Sequence, residues 1–118
     1  MELKLKNGDY IPEGKYGHME RAQGAQEVLA RVLFRLTARR GALPFLPRLG
    51  SRLHLVLREK PSARLAAARQ YVAEALEDET QVRVTDVQLT STQQGAEITV
   101  FLLWQGEELS VTARVEGA

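Results

Sequence analysis

Three carboxylates, Glu74, Glu77 and Asp78, fall three or four residues apart on a stretch whose pattern is helical. That spacing can bring a pair to the roughly 5–9.5 Å that glycoside hydrolysis asks of its two carboxyl groups. Helical spacing makes such pairs routinely on solvated faces. None of the three stands in an evident apolar pocket that would raise its pKa for acid work, so the acids read as a solvated helix end and no catalytic residue is assigned. His18 and His54 are the only histidines, and neither has a second ligand at metal-binding spacing on its own element; no metal is assigned. Ser51 follows Gly50, but Leu49-Gly50-Ser51-Arg52-Leu53 is not the Gly-x-Ser-x-Gly elbow of a serine hydrolase, and a backbone or capping role fits it better. With no glycine-rich phosphate loop either, the sequence implies no cofactor and no small-molecule substrate.

The charge pattern says more. Net charge is +1, yet Arg31 to Arg69 holds ten Lys or Arg residues and one acid, Glu59. A basic middle between acidic ends gives two electrostatic faces, which suits docking in one orientation. Nucleic acid would also want clustered cations, but single-strand binding adds stacking aromatics, and this segment offers only Phe34 and Phe45. The pattern favours an acidic protein neighbour over nucleic acid.

At 118 residues the chain fits one domain, residues 1–118. Without cysteine, disulfides and thiolate metal sites are excluded. No run approaches the roughly 18–20 apolar residues of a membrane helix, and Met1 to Lys6 has no signal-peptide core.

The elements that would position these groups follow from periodicity. Leu3 and Leu5 alternate with Lys4 and Lys6, and Asn7-Gly8 is a hairpin-turn signal. Tyr10 and Ile11 would begin a return strand stopped by Pro12, within an N-terminal strand and loop region, 1–19, in which Glu13 to His18 reads as loop. A helical part follows over 20–78. Its first helix, Ala22 to Arg39, carries Ala25, Val28, Leu29, Val32, Leu33 and Leu36 on one stripe, with Gly41 as its C-cap. Residues 41–51 form a proline-rich loop whose apolar side chains are expected to pin it against the core. Ser51 would cap a short turn through Leu53, Val56 and Leu57. The second helix, Ser62 to Glu77, buries Leu65, Ala68, Val72, Ala75 and Leu76. Strands over 81–115 (Gln81–Leu89, Glu97–Trp104 and Glu108–Val115) make an antiparallel meander, with a bulge near Thr85-Asp86 where the alternation changes phase. Trp104 ends an apolar strand and is expected in the core. The fold class is α+β: two main helices packed on a C-terminal three-stranded antiparallel meander, with the N-terminal strand or hairpin as an addition.

The order of these pieces resembles the contractile-tail baseplate wedge family, the phage W-protein-like proteins with type VI secretion counterparts. The residues that carry the likeness are Leu36-Thr37-Ala38-Arg39-Arg40-Gly41, Leu43-Pro44-Phe45-Leu46-Pro47, Leu49-Gly50-Ser51-Arg52-Leu53, and Val82-Arg83-Val84-Thr85-Asp86-Val87 after Ala75-Leu76. It covers roughly residues 20–115. The family has sometimes been called lysozyme-like, but the resemblance implies a non-enzymatic structural subunit. Such a subunit joins wedge proteins and offers strands for the first sheath ring. It would be assembled in a host bacterial cytoplasm, carried in the virion tail baseplate, and monomeric or weakly oligomeric by itself. Many members carry Glu-Pro-Arg before the first sheet strand, docking on wedge-core helices; this chain has Glu79-Thr80-Gln81. The implied partner contacts are Arg39, Arg40, Arg48 and Arg52 on the basic loop face, Glu79 and Gln81 at the motif position, and Glu108, Ser110 and Thr112 on a prospective edge strand. The alternatives from other classes are a peptidoglycan-cleaving enzyme and a basic nucleic-acid-binding module.

Overall fold

Period-two alternation over the last third of the chain builds the sheet. In the computed structural model, which describes residues 2–5 and 16–117 with side chains from residue 24 onward, the elements run β1 (Glu2–Leu5), α1 (Tyr16–Thr37), a 3-10 turn at Leu53–Arg58, a second at Pro61–Ala63, α2 (Arg64–Ala75), β2 (Val82–Ser91), β3 (Gly95–Trp104) and β4 (Glu107–Glu116). The α+β class follows directly, with two main helices and the C-terminal antiparallel meander. β1 adds a fourth strand, giving the order β1-β4-β3-β2.

Every second residue of β3, from Ala96 through Ile98, Val100 and Leu102 to Trp104, is buried on the helix side. Leu109, Val111, Ala113 and Val115 do the same on β4. The expected bulge is present: β2 pairs in register with β3 except between Val84 and Asp86, where Thr85 is the extra residue. One additional residue restores the inward phase for Val87, which is buried.

Helix α1 packs on β4 and α2 on β2. The α1 stripe of Ala25, Val28, Leu29, Val32 and Leu36 is buried, with Leu33 at its edge. On α2, Ala68, Val72 and Ala75 are buried, followed by Leu76 beyond its end, while Leu65 is 37% exposed rather than in the core. The first helix begins at Tyr16, so Tyr16 to His18 is helix and not loop. Gly17 and Gly24 hide that start, each about 1 kcal/mol poorer than alanine in a helix interior. Gly24 has a packing reason: a Cβ there would lie 2.9 Å from the Trp104 ring, and Trp104 is buried, as expected of a core residue. The Asn7-Gly8 turn and the Tyr10–Ile11 return strand lie outside the described residues. β1 pairs with β4, Glu2 opposite Thr112 through Leu5 opposite Leu109.

The end of α1 departs most from expectation. The helix stops at Thr37 and its last carbonyls are taken from afar: Ser51 Oγ donates to Leu36 O, and Ser51 N to Ala38 O at 2.8 Å. Thr37 Oγ1 folds back on Leu33 O at 2.9 Å. Arg40 N donates to Ser51 O at 3.0 Å, so Arg39 and Ser51 form a parallel bridge. Ser51 Oγ also accepts from Leu53 N at 3.2 Å, which is the cap of the following turn. A terminus capped this way needs no glycine of its own. Gly41 is therefore not the C-cap; it sits at φ 85° in a turn where Ala42 N reaches Arg39 O.

Between those two ends the proline-rich loop stands away from the core. Leu43 is 42%, Leu46 53% and Phe45 94% exposed. The expectation that Phe45 is wedged against the helices is wrong, because the closure at Ser51 ties down only the base of the loop. That closure depends on Gly50, at φ 104°. A Cβ there would meet Ala38 O at 2.6 Å and Arg40 N at 2.8 Å, both backbone atoms. Gly50→Ala is expected to cost about 2–3 kcal/mol, read as a lowered midpoint of denaturant unfolding, whereas Gly41→Ala, with nothing within 4 Å, costs about 1 kcal/mol from its positive φ alone.

Candidate interaction surface

Half of the ten basic residues between Arg31 and Arg69 (Arg31, Arg35, Arg40, Arg48 and Arg52) are paired with acids of the fold. Arg31 and Arg35, one turn apart on α1, converge on Glu79 just after α2. Arg31 Nε lies 2.9 Å from each Glu79 oxygen and Arg35 Nε 2.6 Å from Oε2. The Glu79 side chain is 5% exposed. The Glu79 carboxylate is thus turned inward, holding the α2–β2 connection to α1. As a partner-contact residue it is corrected, because its carboxylate is already shared by two guanidinium groups. Gln81, two residues on, is exposed.

A second set joins the loop to the end of α2. Arg40 Nη2 and Arg48 Nη2 meet Glu77 Oε1 at 3.0 and 2.7 Å. Arg48 also lies 3.7 Å from Asp78, and Arg52 Nε 3.4 Å from Glu74 Oε1. Arg40 Nη1 donates to the Glu74 carbonyl at 3.3 Å, and its side chain is 13% exposed. The expectation that Arg40, Arg48 and Arg52 form an open basic face is therefore corrected: α2's terminal acids neutralise them. Exposed pairs of this kind add little stability, but they fix the loop's orientation. The hydrogen bonds from Arg48 and Arg40 hold the Glu77 carboxyl below its ordinary value, the opposite of what a general acid requires.

Uncompensated positive charge remains at the loop's base. Arg39, Arg58, Lys60, Arg64 and Arg69 have no carboxylate partner among the described residues, and the first two bear on His54. Burial first, then Arg39 and Arg58, lower the His54 pKa, against the raising effect of its hydrogen bond to the Ser51 backbone. Arg39, His54, Ser51, Arg114 and Glu116 line an open depression of about 430 Å³. Arg114 there is paired with Glu97 at 3.2 Å. Among the described residues no three His, Cys, Asp or Glu side chains converge on a metal position, and no helix is long and apolar enough to cross a membrane.

The strand assignment for docking is corrected as well. β4 lies between β1 and β3, so Glu108, Ser110 and Thr112 are not on an edge. Ser110 and Thr112 are 7% and 3% exposed, and Thr112 Oγ1 shares a hydrogen bond with Thr99 Oγ1 at 3.0 Å. Alternation gave the face of these residues but not the neighbour of their strand, which only β1 supplies. The long edge is β2. Its first half carries the bulge with Arg83 and Asp86, devices that discourage strand addition; Val87 to Ser91 continues in regular register.

Fold and surface together define an α+β domain in which, among the described residues, β2 has no strand beyond it, with a neutralised arginine face and an exposed apolar loop tip. No family model and no curated protein sequence matches the chain.

Glu79→Gln is expected to lower stability by about 3 kcal/mol, near the low end for breaking a buried pair because the Arg31 side chain stays 42% exposed. Chemical denaturation at neutral pH measures it. The pH dependence has one sign. His54 and Glu77 are both depressed in the fold, so the unfolded chain takes up their protons first and stability falls as pH falls. The upper step begins below the ordinary histidine value of 6.5 and vanishes in His54→Gln; the lower begins below 4.5 and vanishes in Glu77→Gln.

Proposed function

We propose that the chain is a structural subunit of a phage-tail-like contractile baseplate, joining wedge proteins and templating the tail sheath through protein–protein contacts. The observation that carries this reading is the β2 edge. Val87 to Ser91 pairs with β3 on one side and has no strand on the other among the described residues. An edge of this kind accepts a partner's strand through backbone hydrogen bonds. The likeness over Leu36–Gly41, Leu43–Pro47 and Leu49–Leu53 supports the same assignment. So does the setting of Glu74, Glu77 and Asp78, whose pairing with arginines favours a structural role over sugar cleavage. The arginines held by those acids, in turn, weigh against nucleic acid as the partner. In this reading the protein gathers with wedge and sheath proteins in the host bacterial cytoplasm and stays in the tail baseplate of the virion.

Hydrogen exchange tests the edge. The Val87 amide is already held by Asp86 Oδ1 at 2.8 Å; in the free chain the outward amides beyond it, up to Ser91, exchange quickly, and in a baseplate assembled from the co-encoded wedge and sheath proteins they are protected. Equal exchange in both states sinks strand addition. A peptidoglycan zymogram tests the enzymatic rival, with no clearing expected. Clearing that disappears in Glu74→Gln or Glu77→Gln replaces the proposal with a hydrolase.

A further inference from the structure

The exposed loop tip is unexplained by strand addition. We infer that Leu43, Phe45 and Leu46 form an anchor that enters an apolar pocket with an acidic rim on a protein partner. The tip presents roughly 300–350 Å² of apolar surface, taking about 200 Å² for an aromatic side chain. Phe45 alone is 94% exposed.

The tip is held in shape before any partner arrives. Pro44 and Pro47 fix two backbone angles, and Leu46 N to Leu43 O and Leu49 N to Leu46 O, at 3.0 and 3.1 Å, close successive turns. Ser51 fastens the base. Little conformational freedom remains to be lost on docking, which is the condition under which one aromatic makes an effective anchor.

Two arguments choose the occupant. A second copy is disfavoured by area: the tip offers less than half of the roughly 800 Å² per partner of a stable association, so it serves as one point in a larger interface. Charge decides the rim. No acid occurs between Val28 and Arg58, and of the arginines not consumed by Glu79 or by the α2 acids, Arg39 and Arg58 stand beside the loop's base. A rim of Asp or Glu complements them, and a basic rim is repelled. A lone phenylalanine gives no stacking series for nucleic acid. The inference rests on the baseplate reading only for the partner's identity, a wedge protein.

The test places a benzophenone amino acid at position 45 in the full chain, expressed with its complete tail operon, with position 70 on the exposed face of α2 as control. The expected result is an adduct to one tail protein, at apolar residues flanked by Asp or Glu, reduced about tenfold or more when Arg39→Glu and Arg58→Glu are combined. With that protein purified, Phe45→Ser weakens association by roughly 30-fold or more and leaves the thermal midpoint of the chain unchanged, as an exposed substitution should. An adduct to a second copy or to nucleic acid, no adduct above the control, or unchanged affinity in Phe45→Ser overturns the anchor. An acidic-rimmed adduct on a protein outside the tail supports the anchor and removes the baseplate assignment instead.

Discussion

The closure of Gly50-Ser51 onto the end of α1 is the constraint from which the upper part of the molecule follows. One serine satisfies the Leu36 and Ala38 carbonyls, receives the Arg40 amide and caps the turn at Leu53. It is 2% exposed, so none of these groups has water as an alternative, and a buried unpaired polar group is costly. The approach is close enough that only glycine fits before it. Because the closure is complete at the base, the intervening residues need no core contacts to be ordered. They are free to carry apolar side chains outward.

Ion pairs extend that constraint. Arg31 and Arg35 on α1 face Glu79, and Arg40, Arg48 and Arg52 in and beside the loop face Glu74, Glu77 and Asp78 around the end of α2. One group, around Glu79, is buried and ties secondary structure together. The other, around Glu77, is exposed and orients the loop. Half of the arginine-rich segment therefore behaves as one side of an internal lattice, and two of its unpaired cations, Arg39 and Arg58, stand near His54.

Much of the fold was legible because it depends on local alternation. The β3 and β4 faces, the α1 stripe and even the extra residue at Thr85 are visible in period and phase. What was not legible depends on which distant group answers each side chain. Glu79 looks like a surface acid until Arg31 and Arg35 are brought to it across 48 and 44 positions. Ser110 and Thr112 look like edge residues until β1 pairs outside them. Phe45 looks buried because apolar residues usually are, and the only contrary signs were Pro44 and Pro47 beside it. The sequence could not show that the Glu79 carboxylate is turned inward, for the same reason: the arginines that hold it lie on another helix.

The bulge at Thr85 has a geometric corollary. It breaks the hydrogen-bonding repeat of β2 after Val84, leaving six residues in one register from Asp86 to Ser91. At about 3.4 Å per residue this is a run of about 20 Å. A strand laid along it from the Ser91 end meets a change of pleat at the bulge and goes out of phase. For the strand addition proposed above, the sheet would carry its own ruler, setting how long a guest segment can be and, by the side-chain phase at Val87, which of the guest's faces turns toward the helices.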